Sequence, residues 1–219
     1  MNNKYKYLLL GFLLVPLLGT SQILQVTYDH LSQNGAVKSE GTLLLTEEKA
    51  QYIRDFNGQT VEVDGITIKQ QPDRYVVNMS PKIKKFKEFR TYKDHLFTAD
   101  WDYDQDWTIT KETDTILDLP VVKAYKTENP DFGKTFVWFT TTDIPVSAGP
   151  IRYAGLPGLI LKVAWEKNDY EIIASNIEII EDNNRFIEYD KENAIPLDKE
   201  EIKYFEEHTL NKKIKQYKK

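Results

Sequence analysis

Cysteine is absent from all 219 residues. That excludes a disulfide framework, thiolate zinc sites, a cysteine nucleophile and a lipidated cysteine behind a leader. Histidine is nearly as scarce. His30, His95 and His208 stand in separate segments, and none belongs to an HExxH pair. Ser147 sits in PVSAGP and fails the GxSxG nucleophile elbow. Positive charge is also short: 29 Lys and Arg face 34 Asp and Glu. A net-acidic chain argues against nucleic acid, whose phosphates need clustered Lys and Arg. Long apolar runs are missing too. The nearest, Leu8 to Leu18, is broken by Gly11 and Pro16 and falls short of the roughly 20 residues that span a bilayer.

That short run has the layout of a secretory signal peptide. Lys4 and Lys6 precede it, and Gly19 and Ser21 place small residues before Gln22. Residues 1–21 are therefore expected to be removed on export. The removal takes two lysines and no acids, so 27 basic and 34 acidic residues remain, a net charge of −7 with His neutral. The expectation is a periplasmic or secreted protein with no transmembrane span after signal removal. It is held together by its core alone.

What is present reads as strands. In ILQVTYDH, Leu24, Val26 and Tyr28 alternate with Gln25, Thr27 and Asp29, the period of a half-buried strand. GTLLLTEEKAQYIRDF gives two strands around Glu47-Glu48, and RYVVNM, WTITKET and LPVVKAYKT give three more. NGQTVEVDGITIKQQ, residues 57–71, offers two short strands around Asp64-Gly65, a tight hairpin signal. Pro130, Asp131 and Gly133 supply turn chemistry between Val121–Thr127 and Lys134–Thr141. The second of these strands carries Phe136 and Trp138 on one face and Val137 and Phe139 on the other, which predicts cover on both sides. GLILKVAW and YEIIASNIEII form another hairpin, whose return strand changes phase near Ser175 to Ile177, as at a bulge. After Pro196, Asp198 can cap a helix with Glu200 and Glu201 in its first turn, and Ile202 and Phe205 could rest on the sheet. The fold expected is mainly β: an antiparallel curved sheet or open half-barrel over residues 22–197. A helix with a basic tail follows at 198–219.

Two motifs fail on inspection. DFGKT ends like a phosphate-binding loop, but the required first glycine is Glu128, a carboxylate that would repel phosphate. ADWDYDQDW opens like a calcium loop, but Gln105 and Lys111 occupy the places that need Gly and Glu. If that segment is extended, Asp100, Asp102, Asp104 and Asp106 share one face. Trp101, Tyr103 and Trp107 share the other. It is the best polar cluster in the chain, readable as a solvated strand with an inward aromatic face, or as an interaction surface for glycan or protein. No cofactor is implied by any motif.

GPIRYAGLPGLILKVAW remains. Gly149-Pro150 stops a strand, and Gly155 and Gly158 bracket Leu156-Pro157, a turn that feeds Leu159 and Ile160. Leu159, Leu161, Val163 and Trp165 fall on one strand face, with Ile160, Lys162 and Ala164 on the other. Arg152 and Tyr153 supply the loop's polar ends, for bonds across the loop or for ligand contact. Gly155 to Ile160 is the hexapeptide of the GLPGLI family, and Gly149, Pro150 and Tyr153 belong to the same block. WTITKETDTILDLPVVKAY, upstream, also resembles that family. The resemblance covers roughly residues 100 to 180 and implies an exported Bacteroidota protein of uncharacterised role, with no catalytic residues to carry over. Where many members carry Gly-Tyr-x-Cys, this chain has Leu119, Pro120, Val121 and Val122. For that lineage, Asp114 to Ile116 also resembles an acceptor for periplasmic O-glycosylation at Thr115. The order and length of the strands look like the half-barrel carriers of lipoproteins and related envelope proteins, a likeness of fold alone.

These readings converge on a non-catalytic envelope protein that binds an apolar ligand or a protein partner in a β-sheet cradle. The alternatives are a surface module using residues 100–107, or an envelope hydrolase. The last would need two carboxylates, or a histidine and an acid, brought together by the fold.

Overall fold

The computed structural model describes residues 22–32, 35–56, 60–63, 66–69, 73–80, 82, 84–103, 106–129, 133–141, 144–181, 185–204 and 207–217. The signal-peptide segment, residues 1–21, lies outside them. Among the described residues 61% lie in strands, most of them in one open sheet, with a short helical carboxyl end.

The strands are β1 (Ile23–Leu31), β2 (Val37–Leu45), β3 (Ala50–Phe56), β4 (Thr60–Val63), β5 (Ile66–Lys69), β6 (Asp73–Ser80), β7 (Lys85–Tyr92), β8 (His95–Asp102), β9 (Thr108–Ile116), β10 (Leu119–Asn129), β11 (Gly133–Thr140), β12 (Ile160–Trp165), β13 (Asn168–Ile180) and β14 (Ile195–Pro196). Helices α1 (Lys199–Tyr204) and α2 (Glu207–Tyr217) follow. β4 and β5 make a separate hairpin, as the DG signal predicts, with its turn outside the described residues. The other twelve strands form one sheet in the order β14-β8-β7-β6-β3-β2-β1-β13-β12-β11-β10-β9. Every pairing is antiparallel except β14 with β8.

Strand order and chain length together dictate the curl. β8 and β9 are consecutive in sequence, yet they stand second and last in the sheet. At about 4.8 Å per strand, a flat sheet would hold them nearly 50 Å apart. The link from Asp102 to Thr108 spans at most about 21 Å at ~3.6 Å per residue. The sheet must therefore bend until its two arms approach, with Tyr103 and Trp107 on either side of the crossing.

The bend is eased where register breaks. Thr27 faces Asn176 while Tyr28 faces Ala174, so Ser175 is an extra residue, a bulge where the phase change foretold one. A second bulge was not foretold. Trp138 faces Lys162 but Phe139 faces Ile160, which leaves Leu161 unpaired. Leu159, Ile160 and Leu161 are consequently all fully buried, and strict alternation holds only beyond them. A third break, opposite Thr110 to Glu112 in β9, puts the Thr110 hydroxyl on the Lys123 carbonyl at 2.9 Å. This distorts an exposed edge strand, which discourages pairing with other chains.

The concave side holds the main core, with Leu24, Val26, Leu43, Val77, Val137 and Val163 facing inward. A strap, residues 144–159, crosses this side and buries Ala148, Ala154, Leu156 and Leu159 in the same core. On the convex side the two arms differ. Segment 187–194 covers Val76 and Phe89. The outer face of β11 does not have the full cover its two-sided sequence predicts. Phe136 and Trp138 are half-buried there, beneath the ammonium groups of Lys123 and Lys162. Lysine stems shield such rings from water while their charges stay wet.

The helical end is placed by its cap. Asp198 Oδ1 accepts from the backbone N–H groups of Glu200 and Glu201 at 3.0 and 2.8 Å. Glu201 Oε2 accepts in return from Asp198 N at 3.0 Å, a reciprocal capping box. Ile202 and Leu210 then pack on Phe97 and Ala99 of β8.

Candidate functional site

Packing fixes the strap's glycines. A Cβ on Gly158 would stand 1.8 Å from the Thr140 carbonyl oxygen, and one on Gly149 would stand 2.7 Å from Ile160 Cβ. Gly155 has φ +95° and donates its N–H to the Ser147 hydroxyl at 2.8 Å. The hexapeptide is thus a close-packed turn that hands the chain to β12. Leu159 O accepts from Thr140 N, and Ile160 N donates to Ala148 O, both at 2.9 Å. Ile151, at the tip, takes φ +56°, a costly conformation for a β-branched residue. The next two residues, Arg152 and Tyr153, carry the strap's polar ends.

Arg152 reaches into the sheet. Its Nη1 donates to Glu88 Oε2 at 2.6 Å, and its guanidinium lies 3.7 Å from the centre of the Trp101 ring. Glu88 on β7 is 2% exposed. Burial raises its pKa, against the pull of Arg152 and Arg90. Tyr75 on β6 lies near enough to feel the charges of Glu88, Arg152 and Arg90. Register explains the grouping: Tyr75 faces Arg90, Val77 faces Glu88, and Phe86 faces Trp101 on adjacent strands of one face. Among the described residues, the Tyr75 hydroxyl and the Trp101 indole nitrogen are buried without a hydrogen-bond partner. Trp101 sits close enough to favour the Glu88 carboxylate, but not in bonding geometry.

A second cluster centres on His30. Its Nε2 pairs with the Tyr52 hydroxyl at 2.5 Å, and its Nδ1 pairs with the Tyr170 hydroxyl. A neutral imidazole donates through one nitrogen and accepts through the other, so two hydroxyls satisfy it completely. Burial, then the nearby Arg54 charge, lowers its pKa to about 3. A base that weak abstracts protons poorly at neutral pH.

Aromatic rings join the clusters into a belt. Neighbouring centroids are 6.3 Å apart for Trp107–Tyr153, 6.2 Å for Tyr153–Trp165, 5.6 Å for Trp165–Tyr170, 5.8 Å for Tyr170–His30 and 6.4 Å for both His30–Tyr52 and Tyr52–Tyr75. The first four rings are half-buried and the last three are buried. Trp107 Nε1 donates to the Ala154 carbonyl at 2.8 Å, which ties this end of the crossing to the strap. Lys126 stands over both Trp107 and Tyr153.

The acidic-aromatic segment divides. Alternation holds from Asp100 to Tyr103: Asp100 and Asp102 are exposed and paired with Lys87 and Lys85, while Tyr103 turns in and stacks on Phe86 at 4.2 Å. Asp104 lies outside the described residues, and Asp106 is exposed. Asp100 and Asp102 are thus set against lysines, and no metal-holding group of three His, Asp or Glu exists among the described residues. Trp101 joins the Arg152 cluster and Trp107 joins the belt. Thr115 is exposed on β9, its N–H donating to Asp114 Oδ1 at 2.7 Å.

Sequence reasoning missed Tyr75, Glu88, His30, Tyr52 and Tyr170 as a group. Strands β7 and β8 were hidden as well. In KFKEFRTY the phenylalanines Phe86 and Phe89 are three apart and face opposite sides of the sheet, which masks the period of two.

Residues 126–162 match the model of a Porphyromonas-type family described as "Protein of unknown function (Porph_ging)". That span holds the end of β10, all of β11, the strap and the start of β12. The match fits a Bacteroidota family, under a name other than GLPGLI. No curated protein matches the chain.

Proposed function

We propose that this is a non-catalytic binding protein of the bacterial cell envelope, exported by its amino-terminal signal, that engages its ligand or partner along the aromatic belt of the concave side. The observation that carries the reading is the belt itself. Trp107, Tyr153, Trp165 and Tyr170 form a half-buried row that leads to buried polar groups, all held on rigid strands and a close-packed strap. Few well-placed polar groups among aromatic walls are the usual make-up of a binding site. The polar groups speak against acid–base work. His30 is saturated by two tyrosines, and Glu88 is held by an arginine rather than by a second acid. The strap's own side chains fill much of the interior, which favours binding at the belt over an enclosed apolar cargo. Because the matched span contains Gly155 to Ile160, we read the GLPGLI family as the finer assignment.

Native mass spectrometry of the protein purified from its own envelope, before and after gentle organic extraction, tests the reading. Extra mass released by extraction, or a co-purifying partner, supports it. A bare chain that captures nothing when returned to envelope extract contradicts it.

A further inference from the structure

We propose that the outer face of α2 docks the protein on a surface of anionic lipid headgroups. This face is separate from the aromatic belt, and the two readings stand or fall independently. Charge is divided unevenly along the chain. Residues 209–219 hold five lysines, at 212, 213, 215, 218 and 219, and no acid. Set apart from them, the exported chain has 22 basic and 34 acidic residues, so an end of +5 is carried on a remainder of −12.

Packing decides how that charge is shown. Leu210 is fully buried against β8 and Ile214 packs beside it, so the apolar side of α2 already faces the sheet. Lys213 turns aside to Glu201, 2.7 Å away. His208, Lys212 and Lys215 stand at the i, i+4 and i+7 places of the outer face, and all three are exposed. Among the described residues neither Lys212 nor Lys215 makes an ion pair. With Asn211 and Gln216 they line an open groove of about 480 Å³. Lys93, beside the exposed Asp94 in the β7–β8 turn, reaches its edge and donates to Asn211 Oδ1 at 3.3 Å.

The chemistry of this face selects its partner. No arginine follows Arg185 in the sequence. Lysine is a hydrated point charge without the planar fork that grips one carboxylate or phosphate in one geometry. The residues lining the groove are exposed or half-buried, so nothing there fixes a single ligand in one pose. Such a stripe suits many anions spread over a plane, to which each lysine adds its own attraction. It is also short, about 10 Å from 208 to 215 at ~1.5 Å per residue. A longer linear polyanion would run on to the acidic remainder and be repelled, whereas a headgroup plane need meet this face alone. Because the apolar side of α2 faces the sheet, the contact stays at headgroup level and is reversed by salt.

The test is co-sedimentation of protein purified from its envelope with vesicles of phosphatidylcholine, alone or mixed with phosphatidylglycerol. The expected result is binding to the mixed vesicles only, lost in about 1 M salt, where the screening length is roughly 3 Å. Lys212→Gln combined with Lys215→Gln should weaken binding about thirtyfold, roughly fivefold per lysine. Both side chains are exposed, so melting should be preserved. A control pair of equal charge change on exposed strand positions, Lys38→Gln with Lys111→Gln, should bind nearly as wild type does. No binding to the mixed vesicles, equal binding to neutral ones, or an equal loss in the control pair overturns the proposal. So does capture of an acidic protein or glycan from envelope extract while the vesicles stay bare. None of these results bears on the belt, whose test is the cargo or partner found by native mass spectrometry.

Discussion

A Cβ on Gly41 would stand 2.0 Å from the hydroxyl of Tyr52, the group that pairs with His30. The glycine in β2 is therefore what lets the β3 tyrosine reach across to β1. The His30 cluster depends on a side chain that is not there. Gly41→Ala is expected to displace Tyr52 and to cost about 1–3 kcal/mol, the range of overpacking. Gly158→Ala meets backbone rather than a ring tip, and should cost more than ~4 kcal/mol or abolish folding. Urea unfolding of both variants checks the ranking.

Acid should unfold the protein partly through His30. Its folded pKa of about 3 lies below the ordinary 6.5, so the unfolded chain takes the proton first. The stability that this neutral histidine contributes is full above about pH 6.5 and drains as pH falls toward 3. The sum is at most roughly 5 kcal/mol at 1.36 kcal/mol per unit. Burial raises the pKa of the facing Tyr52 and Tyr170 hydroxyls, so neither changes charge in that window. His30→Gln should make stability fall less steeply between those limits, and parallel curves would contradict the assignment.

The Glu88–Arg152 pair should be costly to break from one side. Arg152→Met leaves a carboxylate that is 2% exposed without its counter-charge, an expected loss of about 3–5 kcal/mol. Because burial raises the Glu88 pKa, this acid favours the fold below its unfolded pKa, and that contribution is lost as pH rises through the folded value. The loss in Arg152→Met should therefore shrink in acid. Adding Glu88→Gln to it should restore most of the stability, and a double-mutant cycle measures the coupling.

The exposed edge strand should be kept monomeric by its charges and its bulge. Lys111, Glu112 and Asp114 project from β9, and Ile109 is 52% exposed. Replacing all three charged residues with Val should produce self-association in gel filtration, since an apolar edge invites strand pairing.

Much of the fold was written locally. The turn chemistry at Asp64-Gly65 and Pro130-Asp131 announced hairpins, the phase slip at Ser175 announced a bulge, and Asp198 announced a helix start. The site was not. Glu88 and Arg152 are 64 residues apart, and His30 and Tyr170 are 140 apart. Each pair meets only because of strand order and curl, which no local period encodes. The signal that could have pointed to the curl is the short reach from β8 to β9, and it becomes informative only once the strand order is known. The segment Asp100 to Trp107 misled for the same reason. Its alternation is that of a strand up to Tyr103, and beyond it the chain leaves one arm of the sheet for the other.

Hydrogen exchange of the purified protein, with and without soluble fractions of its own envelope extract, tests the central claim most directly. The account predicts added protection confined to the segment around Trp107, the strap around 150–156 and the facing ends of β12 and β13 that carry Trp165 and Tyr170. Protection confined to the β9 edge or the carboxyl-terminal helices, or no change under any fraction, would contradict binding along the belt.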